Sequence, residues 1–465
     1  MIVYRTTIDL NPIEDLNINM DTFFEYDNAI IYTQNSSLII ILKCDIKPYE
    51  GIVEAAKYCR PTLLKVLSLI TFFVGYPLTI YNVSSNEMNV KTSKKSLRPF
   101  NRKVHLKINN KSHTANLKKI LYKINKPDYF ASTILNRWQK ALFLTFESND
   151  ADLYYDEALL TYFHIFEQFA ENVYEKIDKN INNNTNDIKN ELQKLYEKLY
   201  LYDKRKSKIE AIDTHITTLA EKHARIIKTD LHSEILDKLA TRIKYTLHEY
   251  NLLDDIVENF IELMIKKRND VAHGRKIDSY MCIWPLSPFF NISKDPYEYV
   301  NILKYLTATL ISKYFGITTW LEEWKEIKFC LPPTKKAMEN LVKNKIDSLN
   351  LDSNNMVTGN TYNLTFRNIF YYLLNHNSEI EKTSIALKNI FLSTKLNKNN
   401  YFDIYNISVL FLKSPDQELK THALNNIQLT LQKKWIAHFE QKDLQTLLKG
   451  YNINIKEYED YLIKG

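Results

Sequence analysis

The sequence predicts a mixed fold: an N-terminal α/β or α+β domain, then a mainly α-helical bundle, then a C-terminal α-helical segment. Three observations carry this prediction. β-Branched and aromatic runs punctuate the chain up to about residue 125. Near Phe130 the apolar period lengthens to that of amphipathic helices. Pro332 and Pro333 then interrupt the helical pattern, with a further helical stretch beyond them. The domains are therefore drawn at 1–125, 126–330 and 331–465, and 465 residues suit about two to three domains.

In the first domain, strands are expected at Ile2–Leu10, Phe23–Thr33, Leu38–Cys44, Leu78–Val83 and Val104–Ile108, with a helix at Gly51–Val74 interrupted at Pro61. Val66–Tyr76, the most apolar run, is shorter than the roughly 20 residues needed to span a bilayer and reads as part of a buried core helix. The second domain is read as helices at Ser132–Phe146, Asp152–Ile177, Asp187–Tyr202, Lys206–Lys228, His232–Tyr250, Asp254–His273 and Tyr297–Ile327. The asparagine-rich Asp178–Asp187 is expected to be a polar loop between two of them. In the last segment, helices are expected at Thr334–Ile346, Asn363–Leu374, Glu379–Leu392, Ile404–Leu412 and Gln417–His438, followed by a C-terminal pair.

Composition narrows the function. Seven glycines and 12 prolines stand against 31 tyrosines and 22 phenylalanines, which predicts few tight turns and argues against Rossmann, P-loop and glycine-rich kinase sites. Cys44, Cys59, Cys282 and Cys330 form no C-x-x-C pair and read as buried thiols in a reducing compartment. The N-terminus lacks the basic and apolar regions of a secretory signal, so a cytoplasmic protein without a membrane anchor is expected.

The formal net charge of +7 is concentrated in one place. Lys91, Lys94, Lys95, Arg98, Arg102, Lys103, Lys107, Lys111, Lys118, Lys119, Lys123 and Lys126 form an acid-free run whose positive charge exceeds that of the whole chain. Such a run is a candidate footprint for a polyanion, and equally a solvated basic hairpin.

The segment Met264–Lys276 carries the chemistry. Arg268 is followed by the polar Asn269 and, five positions on, by His273, at the end of an amphipathic helix with Gly274 as its expected C′ residue. Arg and His at related spacings also occur at Arg98/His105, Arg225/His232 and Arg242/His248, and chance alone supplies about 0.8 such matches in a chain of this composition. Only Arg268/His273 adds the polar residue and the Ala-His-Gly ending. That motif resembles the R-x(4–6)-H signature of HEPN domains, helical modules of bacterial and archaeal ribonucleases. The preceding helices, including His164–Phe169 with Glu167, are similar to the early part of that family's domain. The mixed N-terminal domain resembles the plan of ApeA-like anti-phage proteins, although the segment after Pro332 departs from it.

The resemblance implies an antiviral, toxin-like endoribonuclease acting by abortive infection: a hydrolase cutting RNA, with tRNA as one candidate. It works as a homodimer or higher homo-oligomer, with a phage-derived trigger or inhibitor. His273 would be general acid/base, Arg268 would stabilise the phosphorane and Asn269 would position them, with Glu167 in support. Lys94, Lys95, Arg98, Arg102, Lys103, Lys107, Arg275 and Lys276 would hold RNA phosphates. Attack by a 2′-hydroxyl on its own 3′-phosphate needs proton transfer and positive charge, which His and Arg supply, so no cofactor and no metal are expected. The alternative is a non-catalytic RNA-binding, sensor or scaffold protein that uses the same fold for dimerisation or recognition.

Overall fold

Residues 2–9, 18–44, 51–78, 86–89, 103–124, 129–148, 154–201, 209–231, 238–273, 294–343 and 349–459 are described by the structure, a computed structural model of the chain. It is mainly helical, with a small antiparallel sheet near the N-terminus. Two units form, neither a single run of sequence: Met1–Leu252 with Leu306–Trp320, and Leu253–Tyr305 with Leu321–Gly465. The helices within 126–330 are thus shared between them.

In the first unit, β1 (Ile2–Asp9), β2 (Met20–Tyr26), β3 (Ala29–Gln34), β4 (Ser37–Cys44), β5 (Asn86–Asn89), β6 (His105–Ile108) and β7 (Lys111–Ser112) form one sheet in the order β5-β1-β4-β3-β2-β6-β7. Every pairing is antiparallel. The run expected as one strand, Phe23–Thr33, is a hairpin that turns at Asp27–Asn28, with Tyr26 opposite Ala29. Leu78 is described, whereas the rest of the strand expected at Leu78–Val83 lies outside the described residues.

Tight turns are more frequent than the glycine count suggests. Asn35 and Ser36 (φ +50° and +58°) close the β3–β4 hairpin, and Asn109 and Asn110 (φ +47° and +65°) close β6–β7. Two successive residues at positive φ match the right-handed twist of the flanking strands. Asparagine tolerates that conformation through local hydrogen bonding of its short amide, so it takes the place of glycine here.

α1 (Gly51–Val74) is one continuous helix, uninterrupted at Pro61. Pro61 is exposed, as is Lys57, whose carbonyl loses its helical donor and can face water instead. Val66–Phe73 is buried all round, as a core helix requires. α2 (Thr114–Ile124) and α3 (Tyr129–Ser148) follow.

α4 (Tyr155–Leu201) also runs on, through the stretch expected as a loop at Asp178–Asp187. Asn182 Nδ2 donates to Asp178 Oδ2 at 3.0 Å one turn earlier, and Thr185 is buried. Lys189 pairs with Glu221 of α5 (Ile209–Leu231) at 2.7 Å. Packing along α5 outweighs the few tenths of a kcal/mol by which each asparagine disfavours a helix. α6 (Leu239–Glu249) completes this group.

α7 (Asp255–Ala272) opens the second unit, with Asp254 as its N-cap. α8 (Lys294–Phe315) begins in that unit and ends in the first. The helix expected at Tyr297–Ile327 is therefore two, α8 and α9 (Leu321–Lys328). Gly316 (φ +68°) ends α8 in a Schellman motif: its N–H donates to Lys313 O at 3.0 Å, and that of Ile317 to Ser312 O at 3.0 Å.

The remaining helices of the second unit are α10 (Lys335–Val342), α11 (Asn355–Thr358), α12 (Phe366–Asn375), α13 (Ile380–Ala386), α14 (Lys388–Ser393), α15 (Tyr401–Phe411), α16 (Gln417–Gln432) and α17 (His438–Gly450). They enclose one apolar core that includes Phe366, Phe370, Phe391, Tyr405 and Tyr458. The helix expected at Glu379–Leu392 bends into α13 and α14, and that at Gln417–His438 stops at Gln432. Pro332 and Pro333 fall inside this unit, between α9 and α10. No helix among the described residues is long and apolar enough to cross a membrane.

Candidate functional site

α7 owes its position to its N-terminal end and one face. Asp254 accepts the N–H of Val257 at 3.0 Å and also pairs with Lys328 of α9, which anchors the first turn. Ile256, Val257, Phe260, Ile261 and Met264 bury one stripe, with Phe260 meeting Tyr299 of α8 at 6.3 Å between centroids. After Met264 the burial lapses, and Arg268, Asn269, Asp270 and Val271 are all partly exposed.

The last turn carries the Arg-x4-His motif. Arg268 Nη1 donates to Asn269 Oδ1 at 3.2 Å. His273 is the C-cap, its N–H donating to Asn269 O at 3.0 Å, and its ring is exposed. Among the described residues the imidazole makes no hydrogen bond. A separation of five residues turns the two side chains ~140° apart around the helix. The partly buried Arg268 and the exposed His273 agree with that rotation. Gly274, Arg275 and Lys276 lie outside the described residues.

Glu167 is on α4 in the first unit, 24% exposed, with its Oε2 3.8 Å from His164 Nε2 one turn earlier. Lys103 and Lys107 are exposed at and beside β6, while Lys94, Lys95, Arg98 and Arg102 lie outside the described residues. Further along the basic run, Lys119 donates to Gly316 O at 2.7 Å and Lys123 donates to Tyr314 O. These carbonyls belong to the C-terminal turn of α8, whose acceptors have no helical donors and whose dipole favours cations. Lys123 also stands 4.2 Å above the Tyr314 ring. Part of the basic run is therefore a helix cap.

Two of the other Arg/His spacings have a member with a structural partner. His105 Nε2 lies 3.0 Å from Asp21 Oδ1, joining β6 to β2, and Arg242 pairs with Glu171 of α4 at 3.1 Å. Cys59 is buried, whereas Cys330 is half-buried, contrary to the expectation for all four thiols. No cluster of three His, Cys, Asp or Glu side chains that could hold a metal ion occurs among the described residues. No family model, no curated protein and no solved structure matches the chain.

Proposed function

We propose that this chain is a metal-independent endoribonuclease of the HEPN type, acting in the cytoplasm in a bacterial defence or toxin system. The observation that carries the reading is the last turn of α7, where Arg268 is bonded to Asn269 and His273 stands exposed at the helix terminus. His273 exchanges the proton of the attacking 2′-hydroxyl or of the departing 5′-oxygen. Arg268 sets its charged fork against the phosphorane oxygens, and Asn269 holds that fork in place.

The ~140° between the two side chains favours a shared site in which a second copy supplies the complementary group, so a homodimer is part of the proposal. Light scattering on the eluting protein tests it, and a strictly monomeric, fully active enzyme refutes it. For the chemistry, the parent and His273→Ala proteins are incubated with total bacterial RNA in EDTA. Cutting by the parent alone, leaving 2′,3′-cyclic phosphate ends, is the expected result. Equal cutting by both proteins removes His273 from the mechanism. RNA binding without cutting by the parent gives the non-catalytic alternative.

A further inference from the structure

Aromatic rings and lysines converge in the second unit where α15 begins and α16 ends. Tyr401 of α15 and Trp435, just past α16, have ring centroids 5.8 Å apart at a tilt of 49°. The turn that delivers Trp435 is a Schellman motif made without glycine. Lys434, at φ +54°, donates its N–H to Leu431 O at 2.9 Å, and Trp435 donates to Thr430 O at 3.2 Å. This geometry leaves Lys433 and Lys434 exposed beside the indole. Four residues on, Phe439 in the first turn of α17 is 67% exposed, and Phe402 beside Tyr401 is 42% exposed.

The loop before α15 adds Lys395 and Lys398, both exposed. Asn400 braces that loop: its Nδ2 donates to Lys395 O at 3.0 Å, and its Oδ1 accepts the N–H of Asn397 at 2.8 Å. Lys395, Lys398, Lys433, Lys434 and the exposed Lys442 make no ion pair among the described residues. Neighbouring acids offset them only in part. Glu440 turns back to accept the Ala437 N–H at 2.6 Å, and Asp403 is largely withdrawn from water; Asp443 is the exposed acid of this stretch.

An excess of cations alone would suit any polyanion, and exposed rings alone would suit an apolar protein surface. Both together match a partner that carries phosphates and flat, stackable faces in alternation, which is single-stranded nucleic acid. We propose that this face binds single-stranded RNA, with bases stacking on Trp435 and Phe439 and phosphates meeting Lys398, Lys433 and Lys434. The inference gives the C-terminal helices a substrate role. It takes RNA rather than DNA from the nuclease reading and otherwise does not depend on His273.

The test is fluorescence anisotropy of the full chain with a labelled 2′-O-methyl oligouridine of about 12 nucleotides, which has no free 2′-hydroxyl to attack. Phe439→Ala, at an exposed position that the core does not need, is expected to weaken binding about tenfold. Lys433→Gln and Lys434→Gln should each lower the slope of log affinity against log salt by about 0.7. A parent that does not bind, or variants with unaltered affinity and slope, overturns the inference. So does a Phe439→Ala protein that loses self-association while keeping the parent's oligonucleotide affinity, because the face then contacts a second copy. Binding lost as expected in a chain that cuts no RNA upholds this surface and ends the nuclease reading. Cutting that persists with no effect of the surface variants does the reverse.

Discussion

Trp320 donates its indole N–H to the carbonyl of Phe72 at 2.9 Å, satisfying an acceptor in the last turn of α1. Its own backbone sits at φ +70°, uncommon for a bulky residue and held here by packing against Phe72 and Trp138. Gly75, at φ +73°, makes room for the ring: a Cβ there would stand 2.6 Å from Trp320 Cη2. Gly75→Ala combines backbone strain with overpacking and is expected to destabilise by about 2–4 kcal/mol. Trp320→Phe leaves the Phe72 carbonyl without its donor, at about 1–3 kcal/mol. Urea unfolding followed by far-ultraviolet circular dichroism measures both, and an unaffected midpoint would refute the packing described.

The ammonium groups of Lys119 and Lys123 close the end of α8. Lys119→Met and Lys123→Met should each lower stability by about 0.5–1.5 kcal/mol while leaving oligonucleotide affinity at the parent's value. A drop in affinity with unchanged stability would return these lysines to the nucleic-acid footprint.

Burial lowers the ammonium of Lys304 on α8 to about 8. Between pH 8 and the ordinary lysine value near 10.4, the unfolded chain holds more protons than the folded one. Stability therefore rises with pH across that window, and the contribution is lost as pH falls through 8. Lys304→Met should accordingly be more stable than the parent at pH 7, by about 2–3 kcal/mol, with the gap closing near pH 10. Thermal unfolding across pH 7–10 decides it; a constant difference would contradict the shift.

Arg268 and Asn269 separate charge from positioning. Arg268→Ala should reduce RNA cleavage by about 10²–10³-fold. Arg268→Lys should recover little of that loss, because an ammonium lacks the planar fork. Asn269→Ala keeps the charge but removes the amide that positions the guanidinium, so about a tenfold fall in kcat with little change in KM is expected. Single-turnover assays on a defined RNA distinguish these outcomes, and an Arg268→Lys enzyme as active as the parent would remove the fork from the mechanism.

Where local signals agree, elements are legible from residue order. Asp254 at the cap, the apolar stripe from Ile256 to Met264 and the polar turn after it mark α7 almost to the residue. The same holds for Gly51–Val74, except that proline marked a break that the structure does not make. The asparagines of α4 and the Asn-Ser and Asn-Asn hairpin turns misled in opposite directions. Asparagine can enter a helix when a partner helix packs along it, and it can replace glycine at positive φ when strand twist requires that conformation. The aromatic and basic face around Trp435 has no fixed sequence period. Its members lie on α15, α17 and the segments flanking α15 and α16, and the Lys433-Lys434-Trp435 triplet was its one local signal.

By itself the sequence determined an N-terminal sheet followed by helices, and it placed Arg268, Asn269 and His273 at the end of one of them. Those are consequences of periodicity, capping and short-range order, which act within a few turns of chain. Only the tertiary structure decided that residues 126–330 are divided between two units, that Lys119 and Lys123 cap α8, and that Trp435 folds back onto Tyr401. Each of these joins residues brought together by packing, where burial and hydrogen-bond satisfaction over the whole fold outweigh local preference.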